Sequence, residues 1–371
     1  MISAHQRLQN ILDAAPPVAD VPDASAYGIY GVGELGYLTL DLLQRADRKV
    51  SGLWDRNQEQ VGIFAARNGL PAGLADADKD QPVIVCVSKV PYGEVCAEIR
   101  ARGFTNLINF YDFAEKFEAQ TGFDNGWRLD DVSEGERAAF NNLLSAFEDE
   151  ISKDHLCEFL QWHRLRTSGG GRSEFDPVLN ERYFPDFIRN ILRQDESFVD
   201  VGAHTGSVLR TFHDLTQGDY RCMVGIEPDP INLSGAAGNT ADLDNRTQLM
   251  EFGIGSVKRA TPYIMGRNYC SSADAAGDQV ITEIPLDELN LAPTFLKIHV
   301  EGRELDVLAS AAKTLHNHRP IITATVYHQR HNLIETSEFL FRHMTEYRYA
   351  FRCHSHLGSG AVFYAIPVER A

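Results

Sequence analysis

The chain has 371 residues, more than one ordinary domain, so two domains are the starting expectation. Its 52 acidic against 35 basic residues give a formal net charge of −17, which disfavours nucleic acid and anionic membrane surfaces as partners. Six scattered cysteines with no C-x-x-C pair fit reduced thiols, and no run of about twenty apolar residues occurs, so a cytoplasmic protein without membrane insertion is expected.

In chain order, residues 1–25 carry Pro16, Pro17 and Pro22 and read as an arm or short helix. Tyr27-Gly-Ile-Tyr-Gly-Val-Gly-Glu-Leu-Gly36 then joins a strand to a helix, with Gly31, Gly33 and Gly36 in G-x-G-x-x-G spacing. Asp55 ends the next strand, about twenty residues after the glycines, where a ribose partner is expected. The same spacing also serves plain helix–strand packing at Gly36, and no Tyr-x-x-x-Lys set follows. A binding or scaffolding module for NAD(P) or a nucleotide is therefore favoured over an active dehydrogenase. The run 82–88, a helical stretch over 94–102 and a strand over 106–109 continue the rhythm. Strands alternating with helices imply a parallel, doubly wound sheet, with a first domain over residues 1–115.

Residues 116–190 read as a helical bridge. Ser133 and Glu136 have capping-box spacing, and Phe140, Leu143, Leu144, Phe147 and Ile151 recur at helical period. A second helix is expected over 155–166, broken at Ser168-Gly-Gly-Gly171.

The βα rhythm resumes over residues 191–371. Strands are expected at 198–203, 222–227, 248–254, 280–286, 295–300 and 321–327, with helices at 207–215, 231–239, 304–315 and 336–344. Two final apolar runs, 347–352 and 361–366, flank a short loop and should pair antiparallel. In Phe198-Val-Asp-Val-Gly-Ala-His-Thr-Gly206 an apolar strand ends at Asp200, Gly202 permits a sharp turn, and Gly206 opens the next helix. The backbone there can approach a ligand closely, and Glu227 closes the following strand where it can accept from ribose hydroxyls.

With Phe198–Gly206 stand Gly225-Ile-Glu-Pro-Asp229, Pro285-Leu-Asp-Glu-Leu289, Leu296-Lys-Ile-His-Val-Glu-Gly302 and Val326-Tyr-His328, in that order. The set resembles the FkbM family of methyltransferases over roughly residues 180–367. The resemblance implies a seven-stranded class I methyltransferase sheet, S-adenosylmethionine over the carboxyl ends of its strands, and O-methylation of sugars, glycans or natural products. It implies that Asp200, Gly202, His204 and Gly206 border the methionine part of the cofactor, Glu227 the ribose, and Phe252 and Gly253 the adenine. Tyr183, Tyr327, Arg352 and His354 would form the rim for a small-molecule or glycan acceptor. The overall fold class is thus α/β, with two mostly parallel, doubly wound sheets joined by helices.

Methyl transfer is an in-line displacement, so an acceptor hydroxyl must be held near the methyl carbon and lose its proton. His299 and Glu301 end one central strand and can face the same side, and His328 ends the next. The sequence departs from the family here, because the usual pattern reads K-I-D-x-E-G and position 299 is His. Three readings stand: His299 or His328 as general base; His299, Glu301 and His328 as ligands of a divalent metal; or hydrogen-bonded structural residues. Two rival functions remain beside the methyltransferase. One is a nicotinamide-dependent oxidoreductase centred on residues 27–110. The other is a cofactor- or sugar-binding protein whose catalytic centre has decayed.

Overall fold

The computed structural model describes residues 2–18, 20–70, 79–123, 128–167, 177–264, 272–273, 277 and 279–370. The glycine break expected at 168–171 lies outside them. Among the described residues no helix is long and apolar enough to cross a membrane.

The N-terminal sheet contains β1 (Ala26–Tyr30), β2 (Lys49–Trp54), β3 (Val83–Val85) and β4 (Leu107–Asn109). All are parallel, in the order β2-β1-β3-β4. Apolar side chains on both faces explain the burial: Tyr27, Ile29, Leu53 and Ile84 pack with Phe110, Phe113 and Phe64, while Tyr30, Val83 and Val85 face Val95 and Ile99. The helix Glu34–Arg45 starts at the glycine turn, and a Cβ on Gly36 would stand 2.3 Å from the Gly31 carbonyl oxygen. That contact makes Gly36 a helix–strand packing residue.

The bridge differs from expectation in one place. Ser133 and Glu136 do form a capping box, and it opens the helix Glu134–Ala146. Phe147 does not continue that helix: its backbone is extended (φ −81°, ψ 126°) and it bridges to Tyr349. Asp149 then caps a new helix, Glu150–Leu165, by accepting from the Ser152 N–H at 2.8 Å. Ile151 consequently lies in that helix's first turn, 54% exposed, instead of closing the apolar stripe. The early helix Ala4–Asp13 also packs here: Leu8, Ile11 and Leu12 share a core with Leu156 and Leu160, and Arg7 pairs with Glu158. Residues 4–13 therefore pack with the bridge and the larger sheet, not with the N-terminal sheet that follows them in sequence.

The larger sheet takes β5 (Ser197–Val201), β6 (Cys222–Ile226) and β7 (Thr247–Met250) on one side. A smaller sheet follows, in the order β10-β9-β11-β8, from β8 (Gly253–Ile254), β9 (Arg259–Ile264), β10 (Ser272–Ala273) and β11 (Gln279–Ile284). β9 was not visible in the sequence because Pro262 interrupts it. Pro262 stands opposite Val280 of β11. The larger sheet is completed by β12 (Phe295–Ile298), β13 (Ile321–Thr325), β14 (Tyr347–Arg352) and β15 (Val362–Pro367), in the order β14-β15-β13-β12-β5-β6-β7. Only β15 runs against its neighbours β13 and β14, as the last two apolar runs suggested.

Alternate residues of these continuous apolar strands go to opposite faces. Phe198, Phe295 and Ile321 pack with Phe212 and Tyr364 on one side. Val199, Val201, Leu296, Ile298 and Ile322 face Val307, Leu308 and the bridge helices on the other. The single helix expected over 304–315 is two, Glu304–Ser310 and Ala312–His318. The Asp287 carboxylate starts the second one, accepting from the Lys313 and Thr314 N–H groups at 3.0 and 2.8 Å.

Candidate active site at the carboxyl ends of the strands

β5 and β12 lie side by side with Asp200 opposite Lys297, and both side chains are buried inside the sheet. Lys297 Nζ stands 2.6 Å from the Asp200 carboxylate and donates to the Gly202 carbonyl at 2.7 Å. Two opposite charges meeting inside a dry sheet compensate each other, and the ammonium pins the turn that follows β5. Gly202 has φ +78°, and a Cβ there would stand 1.9 Å from the His299 carbonyl oxygen. No other residue type fits. His204 is also left-handed (φ +49°), and Gly206 (φ +73°) opens the helix Ser207–Thr216 against Ala236.

Glu227 follows β6 and is buried. One of its carboxylate oxygens accepts from the His204 N–H at 2.8 Å, and the other from the Asp229 N–H at 3.1 Å. Its burial raises its pKa, while these backbone donors pull it back down. Above the turn lies a cavity of about 350 Å³, within the range of small-molecule sites. Gly202, His204 and Glu227 line one part of it, with Phe252 and Gly253 beside them. Tyr183, His299 and Glu301 line another part. Glu34 and Lys89, from the N-terminal glycine-turn helix and the segment after β3, also border it. The two halves of the chain thus share one opening.

His299 and Glu301 leave β12 on its carboxyl side, and Glu301 takes the left-handed conformation (φ +52°), a strained one for a residue with a side chain. Its carboxylate sits between two imidazoles: Oε1 is 3.1 Å from His299 Nε2 and Oε2 is 3.4 Å from His328 Nε2. The two rings stack with centroids 5.0 Å apart. The Tyr183 hydroxyl is 2.7 Å from His299 Nδ1, and the Tyr327 hydroxyl is 3.5 Å from His299 Nε2. Glu304, wholly buried, reaches His328 Nδ1 at 3.2 Å and accepts from the Thr325 hydroxyl at 2.7 Å.

Burial pushes the His299 imidazole down to about 4, outweighing the neighbouring Glu301. Around His328 burial again opposes the charge, but Glu301 and Glu304 prevail and hold its pKa up at about 10. Glu301 is kept well below the usual carboxylate range by the two imidazoles despite its burial. The two imidazoles are thus pushed in opposite directions, His299 toward its neutral form by burial and His328 toward its charged form by the two carboxylates.

Several residues expected at the site do other work. Asp200 lies beneath the turn and is not part of the cavity wall; its partner is Lys297. Arg352 is buried and bonds Ser152 at 2.6 Å and Asp149 at 3.0 Å, tying β14 to the bridge helix rather than forming an acceptor rim. His354 touches the cavity, but its ring is taken by the Val178 carbonyl at 2.5 Å and the Tyr364 hydroxyl at 2.8 Å. In the N-terminal glycine turn the Asp55 carboxylate accepts from the Val32 and Asn57 N–H groups at 3.0 and 2.9 Å, which gives it a turn-closing role. Lys297 and Glu304 were missed as site residues. A lysine in an otherwise apolar strand, beside a strand carrying a lone aspartate, was the available signal for the first. Glu304 looked like an ordinary first-turn residue of its helix.

A seven-stranded sheet in this order with one reversed strand, holding a glycine turn and an acidic strand end over a cavity, defines a class I methyltransferase fold. Residues 200–353 match the family model described as the Methyltransferase FkbM domain. The crystal structure of methyltransferase FkbM from Methylobacillus flagellatus KT shares the fold over nearly the whole length: TM-score 0.71, 98% of this chain and 99% of that one covered, at 20% identity. Precorrin-6y C5,15-methyltransferase from Geobacter metallireducens GS-15 aligns over 52% of this chain at 16% identity, with a TM-score of 0.32. No curated protein matches the chain.

Proposed function

We propose that the protein transfers a methyl group from S-adenosylmethionine to a hydroxyl of a sugar, glycan or natural-product acceptor. The observation that carries the donor assignment is Glu227, a buried carboxylate fixed by two backbone N–H groups at the rim of a cavity whose floor is the bare backbone of Gly202. A ribose diol fits such an acceptor, and a close-lying backbone suits the methionine portion. Bound there, S-adenosylmethionine supplies an electrophilic methyl group to an oxygen nucleophile.

The chain's own part is to hold the acceptor and manage its proton. The His299, Glu301 and His328 constellation stands at the carboxyl ends of β12 and β13, and its His299 and Glu301 line the same cavity as Glu227. Tyr183 fixes the His299 ring through Nδ1, so the ring's other nitrogen is held toward Glu301. Glu34 and Lys89 bring charged groups from the N-terminal module to the same opening, and they bound the acceptor's route from that side.

Isothermal titration with S-adenosylmethionine tests the donor. One saturable site is expected, weakened in Glu227→Ala, followed by release of S-adenosylhomocysteine when sugar and glycan acceptors are supplied. A chain that remains folded and does not bind S-adenosylmethionine overturns the reading.

A further inference from the structure

We propose that His299 Nε2, the Glu301 carboxylate and His328 Nε2 form a binding site for one divalent transition-metal ion, which coordinates the acceptor hydroxyl. The three ligand atoms lie within 4.8 Å of one another, a separation that one ion between them can bridge. Two imidazoles and a carboxylate are a donor set for borderline ions such as Zn²⁺, Mn²⁺, Fe²⁺ or Co²⁺, and a poor one for Mg²⁺ or Ca²⁺, which prefer oxygen.

Three further observations point to an ion. Both ring nitrogens of His328 are buried and face carboxylates, Nε2 toward Glu301 at 3.4 Å and Nδ1 toward Glu304 at 3.2 Å. Next, each histidine has its Nδ1 taken from behind, His299 by the Tyr183 hydroxyl and His328 by Glu304. Groups placed in that way orient metal-binding imidazoles and fix which nitrogen faces the ion. Finally, the left-handed backbone at Glu301 aims the carboxylate between the two rings, a strain that coordination would justify.

His299 and Glu301 face the cavity, so three protein ligands leave open positions toward it, as in catalytic rather than closed structural sites. An acceptor hydroxyl taking such a position would lose its proton to solvent more readily, and its oxygen would form the bond to the methyl carbon as the methyl–sulfonium bond breaks, the electron pair going to sulfur and S-adenosylhomocysteine leaving. Ion binding stands independently of the methyl-donor assignment; its catalytic consequence rests on that reading.

The test uses the full chain, stripped with a chelator and titrated with Co²⁺ while the visible d–d absorption and bound metal are followed. One equivalent with a saturating d–d band is expected, and Mg²⁺ in excess should not displace it. His328→Gln and Glu301→Gln should lose the band while far-UV circular dichroism shows the fold intact. His316→Gln, at an exposed histidine, should leave the titration unchanged. Glu304→Gln should weaken the ion by about 10–100-fold through the lost support of His328. A folded protein that takes up no Co²⁺ at one equivalent, or that keeps the band in both ligand variants, overturns the proposal. Titration with S-adenosylmethionine in parallel separates the two readings, because failure of donor binding leaves a positive Co²⁺ result standing.

Discussion

Replacing Lys297 with Met isolates the device that holds the turn after β5. Lys297 is 2% exposed and Asp200 fully buried, so the substitution leaves a carboxylate in the sheet with no counter-charge and frees the Gly202 carbonyl. Breaking a buried pair from one side costs about 3–5 kcal/mol. For a domain of this size each kcal/mol lowers the midpoint by about 2–4 °C, so a fall of about 6–20 °C is expected in scanning calorimetry at pH 7. The sign of the pH dependence is a second constraint. Burial already raises the Asp200 pKa, and Lys297 opposes that rise. Without the lysine the carboxyl prefers its neutral form, so the penalty grows as pH climbs above the unfolded-chain value near 4 and shrinks again in acid. Removing both charges in Lys297→Met with Asp200→Leu should recover much of the loss. A midpoint shift of less than about 2 °C, or a deficit that does not change between pH 4.5 and 8, would refute the idea that this pair anchors the turn.

Three other outcomes follow from described contacts. Glu227→Gln keeps the shape and removes the charge, so affinity for S-adenosylmethionine should drop by about 10–100-fold in titration, as for loss of a charge-assisted bond of about 1.5–3 kcal/mol; an unchanged affinity argues against ribose recognition there. His155 accepts from the Cys353 N–H at 2.8 Å, and burial, aided by Arg352, pushes its pKa down to about 3. Its contribution is full above the unfolded value near 6.5 and is lost as pH falls toward 3, so thermal midpoints should decline over that window and decline less in His155→Gln. Asp287→Ala removes the cap of the helix Ala312–His318 and should cost about 1 kcal/mol, or about 2–4 °C by circular dichroism; no shift would mean that the break at Ala311 has another cause.

Local chemistry explains what could be read from the sequence. Continuous apolar strands such as Phe198-Val-Asp-Val announce burial on both faces, and the glycines at 202 and 206 mark a turn wherever they stand. The cluster of His299, Glu301 and His328 was legible because strand ends in such sheets converge on one edge. What escaped depends on pairing between distant segments. Asp149 cuts an apolar period that runs straight past it, and Asp287 caps the helix Ala312–His318 from the separate 286–289 turn, so neither advertises a cap without its partner N–H. Pro262 hid a strand that shows itself only in its pairing with β11. The helix Ala4–Asp13 lies far in sequence from the core that receives Leu8 and Leu12. Asp200 was assigned to the ligand because the strand opposite it, with Lys297, is about a hundred residues away.

The near-contact between Gly202 and the His299 carbonyl has a mechanical meaning. A Cβ at 202 would stand 1.9 Å from that carbonyl, so the turn after β5 can lie this close to the strand end bearing His299 only with glycine there. Lys297 adds a second link, reaching from the same strand into the same turn. The cavity's other lining includes Tyr183, Glu34 and Lys89, which come from segments outside this turn and strand pair. Substitutions at those three positions would alter the cavity without touching the glycine turn or its lysine link.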